Sequence, residues 1–382
     1  MLRVMIPAIS LHAIRLFYAA YFAAMGLILP FFPIYLDEKG LDVLMIGVMT
    51  GLIAVAKVLA PPWIGHLADR HASGHSRRFI VLAAFLAAVF AIAIDYVSDI
   101  GWLALVVLLF GVLWAAILPL TDGLSVSISE AALAEYGRLR VWGSVGFILA
   151  SLAGGMWLVD GNMGQFPWWL SGLMLLLAFA ARWFPNQHVI SDRPETGEAR
   201  FGQAFITLLI VSFLMQVSHG AYYGFFSLYL VDLGYQGWQV GGFWVLGVVA
   251  EIVLMWGWSK PLQKAAPAWV LSISLLLASM RWLGIGMTEV WYGLLLLQLL
   301  HAASFAAFHL SAIAWVKKLA PANRHATAQG WYSACGFGLG STVGIMGCGV
   351  IVSYAGYTQA FFVCALIAFA GMLLAWRLPH KP

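Results

Sequence analysis

"IYLDEKGLDVLMIG" (34–47) and "LYLVDLGYQGWQVG" (228–241) are the same sentence written twice. At a constant offset of 194 residues, Tyr35 falls on Tyr229, Leu36 on Leu230, Gly40 on Gly234 and Gly47 on Gly241. Carried on without gaps, the offset sets Lys57 opposite Glu251. A fainter echo links "VWGSVGF" (141–147) with "GWYSACGF" (330–337) if one residue is inserted. Each copy sits between long apolar runs, so the repeated unit is a group of membrane helices, and parallel repeats of this kind mark secondary transporters.

The surrounding chain supports that reading. Of 382 residues 63% are hydrophobic and 9% charged, and the mean hydropathy of +0.90 lies far outside the soluble range. A helix crosses the hydrocarbon core with about 20 residues. Twelve stretches are long enough: near 12–36, 43–64, 79–98, 102–124, 141–160, 167–184, 204–231, 239–260, 268–287, 291–316, 330–354 and 360–377. They are continuously apolar, without the alternation of barrel strands, so an all-α membrane protein of two six-helix halves is expected. The polar stretch "PNQHVISDRPETGEARFGQ" (185–203) divides a first half, 1–184, from a second, 204–382, and reads as a cytoplasmic linker.

Basic residues orient the spans. With the N-terminus inside, 16 of the 20 Lys and Arg residues fall on the cytoplasmic side, which places both termini there. The net charge of +4 is thereby an orientation signal, and nucleic-acid binding is a poor reading of it. The first apolar run leads directly into a second span and reads as an uncleaved helix. Cys335, Cys348 and Cys364 have no metal-ligand spacing and read as packing residues; neither metal nor organic cofactor is expected, and the chain is taken as a monomer in its bilayer. Glycines crowd spans five and eleven, a pattern that close helix packing and a moving structure explain equally well.

Function is sought in the polar residues that the apolar spans retain, because a charge at the centre of a membrane helix costs roughly 2.5–3.5 kcal/mol on insertion scales. Glu251 lies in span eight, Arg281 in span nine, His301 and His309 in span ten. Opposite charges in one half suggest that Glu251 pairs with Arg281, either as a structural ion pair or as a site that binds and releases a proton as its surroundings change. Helical spacing sets Gln216, His219 and Tyr223 on one face of span seven and Gln298, His301 and His309 on one face of span ten. These faces read either as a polar cavity wall or as inter-helix hydrogen bonding. In the first half Lys57 stands mid-span, to be neutralised by Asp122 or by an anionic ligand, and Arg140 opens span five. Asp95, near the outer end of span three, is expected to be exposed.

"GHLADRHASGHSRR" (65–78) resembles the loop signature of the major facilitator superfamily. The resemblance implies a conformational latch formed by Gly65, Asp69 and Arg70 with Arg77 and Arg78 beside it. More of the chain, in "LPLTDGLS", "YGRLRVWGSVGF", "SHGAYYGFFSLYL", "LGVVAEI" and "LQLLHAASFAAFHLSAI", resembles the 3-phenylpropionate transporter group, related to lactose permease and nucleoside:proton symporters. That resemblance implies import of an aromatic monocarboxylate together with protons. Against the lactose permease pattern, Asp122 and Arg140 match its helix-four acid and helix-five Arg, while Glu251, Arg281 and His301 match its Glu, Arg and His. The chain departs at Ser304, where the pattern has its proton-transfer carboxylate, and at Gln298, where it has Lys. Proton coupling is therefore expected at Glu251, Arg281 and His301, with Asp122 behind them.

Substrate contact is expected at Arg140, whose planar fork suits a carboxylate, and at Lys57, Asp122, His219, Gln216, Tyr223, Gln298 and His309. A sugar or nucleoside symporter and proton-driven efflux of amphipathic compounds are the alternatives. No catalytic constellation stands out, so an enzyme is not expected.

Overall fold

The structure is a computed structural model that describes residues 8–70, 76–132, 136–184, 201–321 and 324–380, with the side chains of 8–10, 61–70, 76, 123–124, 126–132, 136–138 and 326 left out. No strand occurs among the described residues. Among the described residues twelve helical spans are long and apolar enough to cross a membrane. They are α1 (Leu11–Glu38), α2 (Val43–Ala60), α3 (Arg77–Tyr96), α4 (Ile100–Asp122), α5 (Leu139–Trp157), α6 (Met163–Ala181), α7 (Gln203–Asp232), α8 (Gly237–Lys264), α9 (Pro267–Met287), α10 (Trp291–Leu319), α11 (Thr327–Ala355) and α12 (Tyr357–Ala375). Helices satisfy their own backbone polar groups, which is why such apolar runs take this form where no water is at hand. Their outward faces are apolar too: Leu82, Leu149, Val253, Trp256 and Leu366 are all more than half exposed, as suits side chains facing lipid.

Two compact units divide the chain. One comprises Met1–Tyr35 and Val55–Ser191, the other Leu36–Ala54 and Asp192–Pro382. Residues 36–54, assigned by sequence to the first half, thus group by contact with the second unit. There Gly47 approaches Gly349 so closely that an added Cβ would lie 2.9 Å from the Gly349 Cα.

The repeat seen in the sequence is a repeat of hydrogen bonds. At the end of α1, Gly40 N donates to Asp37 O and Leu41 N to Leu36 O; at the end of α7, Gly234 N donates to Val231 O and Tyr235 N to Leu230 O. Every partner differs by 194. Gly40 (φ 88°) and Gly234 (φ 82°) both take the left-handed conformation that ends a helix with this bonding, which only glycine adopts without strain. The next helices are capped in step: Asp42 Oδ1 accepts from Met45 N, and Gln236 forms a reciprocal capping box with Gln239.

Glycines bring two pairs of helices into backbone contact. On α5, Gly146 lies against the Ala19 carbonyl of α1, and on α11, Gly340 lies against the Phe213 carbonyl of α7. These pairs again differ by 194, so packing extends the uniform offset where the sequence echo needs an inserted residue. Gly220 and Gly344 meet in the same way, leaving no room for a Cβ at Gly220. Close packing is what these glycines do in this structure. Of the cysteines, Cys348 and Cys364 are buried with their sulfurs 3.5 Å apart.

Candidate functional site

Three departures from α-helical bonding cluster in the second unit, and the sequence signals none of them. α7 breaks at His219, where the Ser218 hydroxyl and the His219 ring both bond the Met215 carbonyl, at 2.7 and 2.8 Å, and take it from the helix ladder. α10 runs through a π-helical segment, Ala302–Ala307, directly after His301, and α11 through another, Ala334–Gly340. Such segments turn side chains out of α-helical register and recur at functional sites.

Beside these departures, side chains of α8, α9 and α10 build an ionic chain. Glu251 of α8 meets His301 Nε2 of α10 at 2.7 Å, and Arg281 of α9 reaches His301 Nδ1 at 2.8 Å. A guanidinium only donates, so Nδ1 accepts, Nε2 carries the hydrogen and donates to Glu251, and the ring is neutral. The expected Glu251–Arg281 pair is therefore indirect, with an imidazole wedged between the charges. Arg281 also donates through Nη2 to Gln298 Oε1 at 2.6 Å and through Nη1 to Ser304 Oγ at 3.5 Å. The Tyr222 hydroxyl donates to the same Gln298 oxygen at 3.2 Å, and the guanidinium lies over the rings of Tyr222 (4.3 Å) and Trp282 (4.6 Å). Arg281 is fully buried, and the Glu251 side chain is 15% exposed. Arg281 Nε, Gln298 Nε2, Trp282 Nε1 and His219 Nε2 are buried without a hydrogen-bond partner among the described residues. Arg281 Nε, Gln298 Nε2 and Trp282 Nε1 are thus unspent donors, while His219 Nε2, whose ring donates through Nδ1 to the Met215 carbonyl, is an unspent acceptor.

An aromatic column adjoins this chain. Phe305 stacks on His301 at 5.4 Å and on His309 at 5.9 Å, and His309 Nδ1 lies 2.9 Å from the Tyr332 hydroxyl of α11. Phe337 presents its edge to His309 at 5.4 Å. Sequence reading found His309 but missed Phe305, Tyr332 and Phe337; the four-residue step from His301 to Phe305 to His309 was the available signal. Tyr222 was also missed as a partner of Arg281.

The two Gln-x-x-His faces behave differently. Gln298 and His301 converge on Arg281, whereas the break in α7 separates Gln216 from His219. Gln216 instead accepts from Ser341 of α11 at 3.3 Å, and His219 stacks on Tyr223 at 5.4 Å.

The first unit holds a second ionic site. Asp122 accepts from the Tyr18 hydroxyl at 2.6 Å through one carboxylate oxygen and from Arg140 Nη1 at 3.5 Å through the other. Arg140 lies 5.8 Å from the centre of the Phe22 ring, and its side chain is 45% exposed against 28% for Asp122. Tyr21 and Trp114 stack nearby at 5.3 Å. Asp122 is thus spoken for by Tyr18 and Arg140. Lys57, half-buried in α2, forms no ion pair with it. Asp95 corrects an expectation: it is half-buried and accepts from the Tyr35 hydroxyl at 3.0 Å, because the end of α1 packs over it. Of the latch residues, the side chains of Gly65, Asp69 and Arg70 lie outside the described residues, while Arg77 ties the start of α3 to the Phe184 carbonyl after α6 at 3.3 Å. The linker lies almost wholly outside the described residues.

Twelve apolar spans in a six-plus-six repeat, with buried ionisable side chains bonded to one another between spans, define a multi-pass membrane transporter of the major facilitator type. The chain belongs to the MFS_1 like family, whose model matches residues 11–363. It is 29% identical over 373 residues to a probable 3-phenylpropionic acid transporter of Escherichia coli (strain K12), covering 96% of this chain and 97% of that one. A maltose permease of Geobacillus stearothermophilus is 27% identical over 334 residues, covering 85% and 84%. The crystal structure of the nucleoside transporter NupG superposes with a TM-score of 0.81 at 18% identity, covering 96% and 98%. The family and these relatives are transporters, not enzymes.

Proposed function

We propose that the chain is a proton-coupled importer of a small aromatic carboxylate such as 3-phenylpropionate, working by alternating access in a bacterial inner membrane with both termini cytoplasmic. The observation that carries the coupling is the Glu251–His301–Arg281 chain. Its only carboxylate faces a neutral imidazole, and its cation is held by Gln298, Ser304 and two aromatic faces. Glu251 can therefore gain or lose a proton while Nε2 of His301 goes on donating to a carboxyl oxygen, so the network survives both states. Arg281 supplies the fixed charge and His301 transmits it. Ser304 offers no proton site, which leaves Glu251 as the carrier and Asp122 as its understudy.

For the substrate, Arg140 is the carboxylate contact, with Lys57 as a second cation. Asp122 positions Arg140 through its second oxygen. His309 and the column it shares with Phe305, beside Tyr332 and Phe337, offer π-faces to an aromatic ring. His219, Tyr223 and Gln298 line the approach to the proton site, and Gln216 holds α7 against α11. The name of the Escherichia coli relative, whose likeness runs nearly the whole length of both chains, supports an aromatic acid as cargo.

Proteoliposomes test the reading directly. An inward proton gradient should drive accumulation of labelled 3-phenylpropionate and collapse with a protonophore, while labelled maltose and uridine stay at background. Gradient-driven uptake of the sugar or nucleoside instead would establish the second reading, a neutral-solute symporter, which draws on the Asp122 carboxylate as an acceptor for hydroxyls.

A further inference from the structure

Away from both ionic sites, one surface of the first unit combines charge with an apolar wall. Arg77 and Arg78 open α3, and Arg182 follows the last turn of α6, the helix packed along α3. The three guanidinium groups head a cavity of about 660 Å3 whose remaining lining is Val81, Leu82, Phe85, Leu175, Ala178 and Phe179. Among the described residues that line it, none is a carboxylate. Arg77 is fixed by its bond to the Phe184 carbonyl, while Arg78 and Arg182 are exposed. Leu82, Phe85, Leu175 and Phe179 are each about half exposed, at 47–56%. The groove is therefore basic at the span ends and apolar along the spans, with the helix start of α3 adding the partial positive charge of its unbonded amides.

We propose that this groove binds an anionic phospholipid, its phosphate on Arg78 and Arg182 and an acyl chain along Leu82, Phe85, Leu175 and Phe179. A small soluble anion would satisfy the guanidinium groups but leave the wall bare. A zwitterionic lipid would bring an ammonium group up to three cations. A diacyl lipid whose head carries a phosphodiester and no cation, such as phosphatidylglycerol, matches both parts, and basic pockets between spans are known to select such heads.

Native mass spectrometry of the intact chain in detergent, titrated with phosphatidylglycerol or phosphatidylcholine, measures the selectivity. The wild-type chain should retain phosphatidylglycerol at roughly thirtyfold lower lipid concentration than phosphatidylcholine, which is what two surface cations contribute. Arg78→Gln with Arg182→Gln should erase the preference, and the charge-matched control Lys264→Gln with Arg377→Gln should keep it. Equal retention of both lipids by the wild-type chain, or equal loss in test and control variants, would overturn the proposal. So would displacement of the lipid by millimolar inorganic phosphate, which would mark a site for a free anion.

Photo-crosslinking of a diazirine-bearing phosphatidylglycerol to the wild-type chain reads the site without any variant. Labelled peptides should contain Leu82, Phe85 or Phe179, and labelling confined to other helices would refute the placement. Neither experiment uses a transported substrate, so the outcome stands apart from the transport reading.

Discussion

The two ionic sites are built from the same residue types and solve opposite problems. In the second unit, Glu251, His301 and Arg281 form a continuous chain in which each charge has a fixed neighbour, and Arg281 has no contact with solvent. In the first unit, Asp122 and Arg140 meet at 3.5 Å with nearly half of the Arg140 side chain exposed. The second unit's network keeps its cation away from water, and the first unit's leaves its cation accessible. The family fold accommodates both, which teaches that the repeat duplicated the helices but not the chemistry. Among the described residues Lys57, at the position equivalent to Glu251, forms no ion pair.

The widest gap between the sites should appear in stability. Arg281→Lys removes the fork that reaches His301 and Gln298 together, so it should destabilise the chain by about 3–5 kcal/mol, as for breaking a buried charged network. Thermal unfolding in detergent would measure this, and Arg140→Lys should scarcely move the midpoint. A melting point unaltered by Arg281→Lys would erase the distinction.

Binding should show the reverse order. Arg140→Ala should weaken aromatic-acid affinity roughly tenfold or more, in line with a charge-assisted hydrogen bond, whereas Arg377→Ala on the surface should leave it alone. Isothermal titration with the purified chain gives both numbers, and equal affinities would remove the carboxylate contact from Arg140.

The duplicated turns supply a matched pair of smaller effects. Gly40→Ala and Gly234→Ala each place a side chain in the left-handed region, at about 1 kcal/mol apiece. Near-equal losses in unfolding midpoint would confirm that the two turns carry equal load; a loss at one turn alone would break the equivalence. Smallest of all should be the coupling between Asp122 and Arg140. A double-mutant cycle on thermal stability should return about 0.2–1 kcal/mol, the usual worth of a half-exposed pair. A coupling several times larger would mean that the first site is sealed like the second.

Much of the architecture was legible because membrane helices announce themselves by length and hydropathy, and because the turn at Gly40 and Gly234 repeats residue for residue. The expected α1 of 12–36 is found at Leu11–Glu38, and α8 of 239–260 at Gly237–Lys264. The members of the second unit's ionic chain were legible as costly charges in apolar runs. Their connection was not. Spacing rules assume an unbroken 3.6-residue helix, and α7 at His219, α10 after His301 and α11 after Ser333 all depart from it. That is why Gln216 and His219 part company; the wedging of His301 between Glu251 and Arg281 is a contact among three helices, which spacing along one helix does not reach. Asp95 was misjudged for a related reason: position along a helix says nothing about which neighbour packs over its end.

The central claim is that Glu251 carries the coupled proton. In proteoliposomes of the Glu251→Gln variant, accumulation of labelled 3-phenylpropionate against its gradient should vanish, while exchange of internal for external substrate at equal concentrations continues. Uphill accumulation at the wild-type level in that variant would contradict the account.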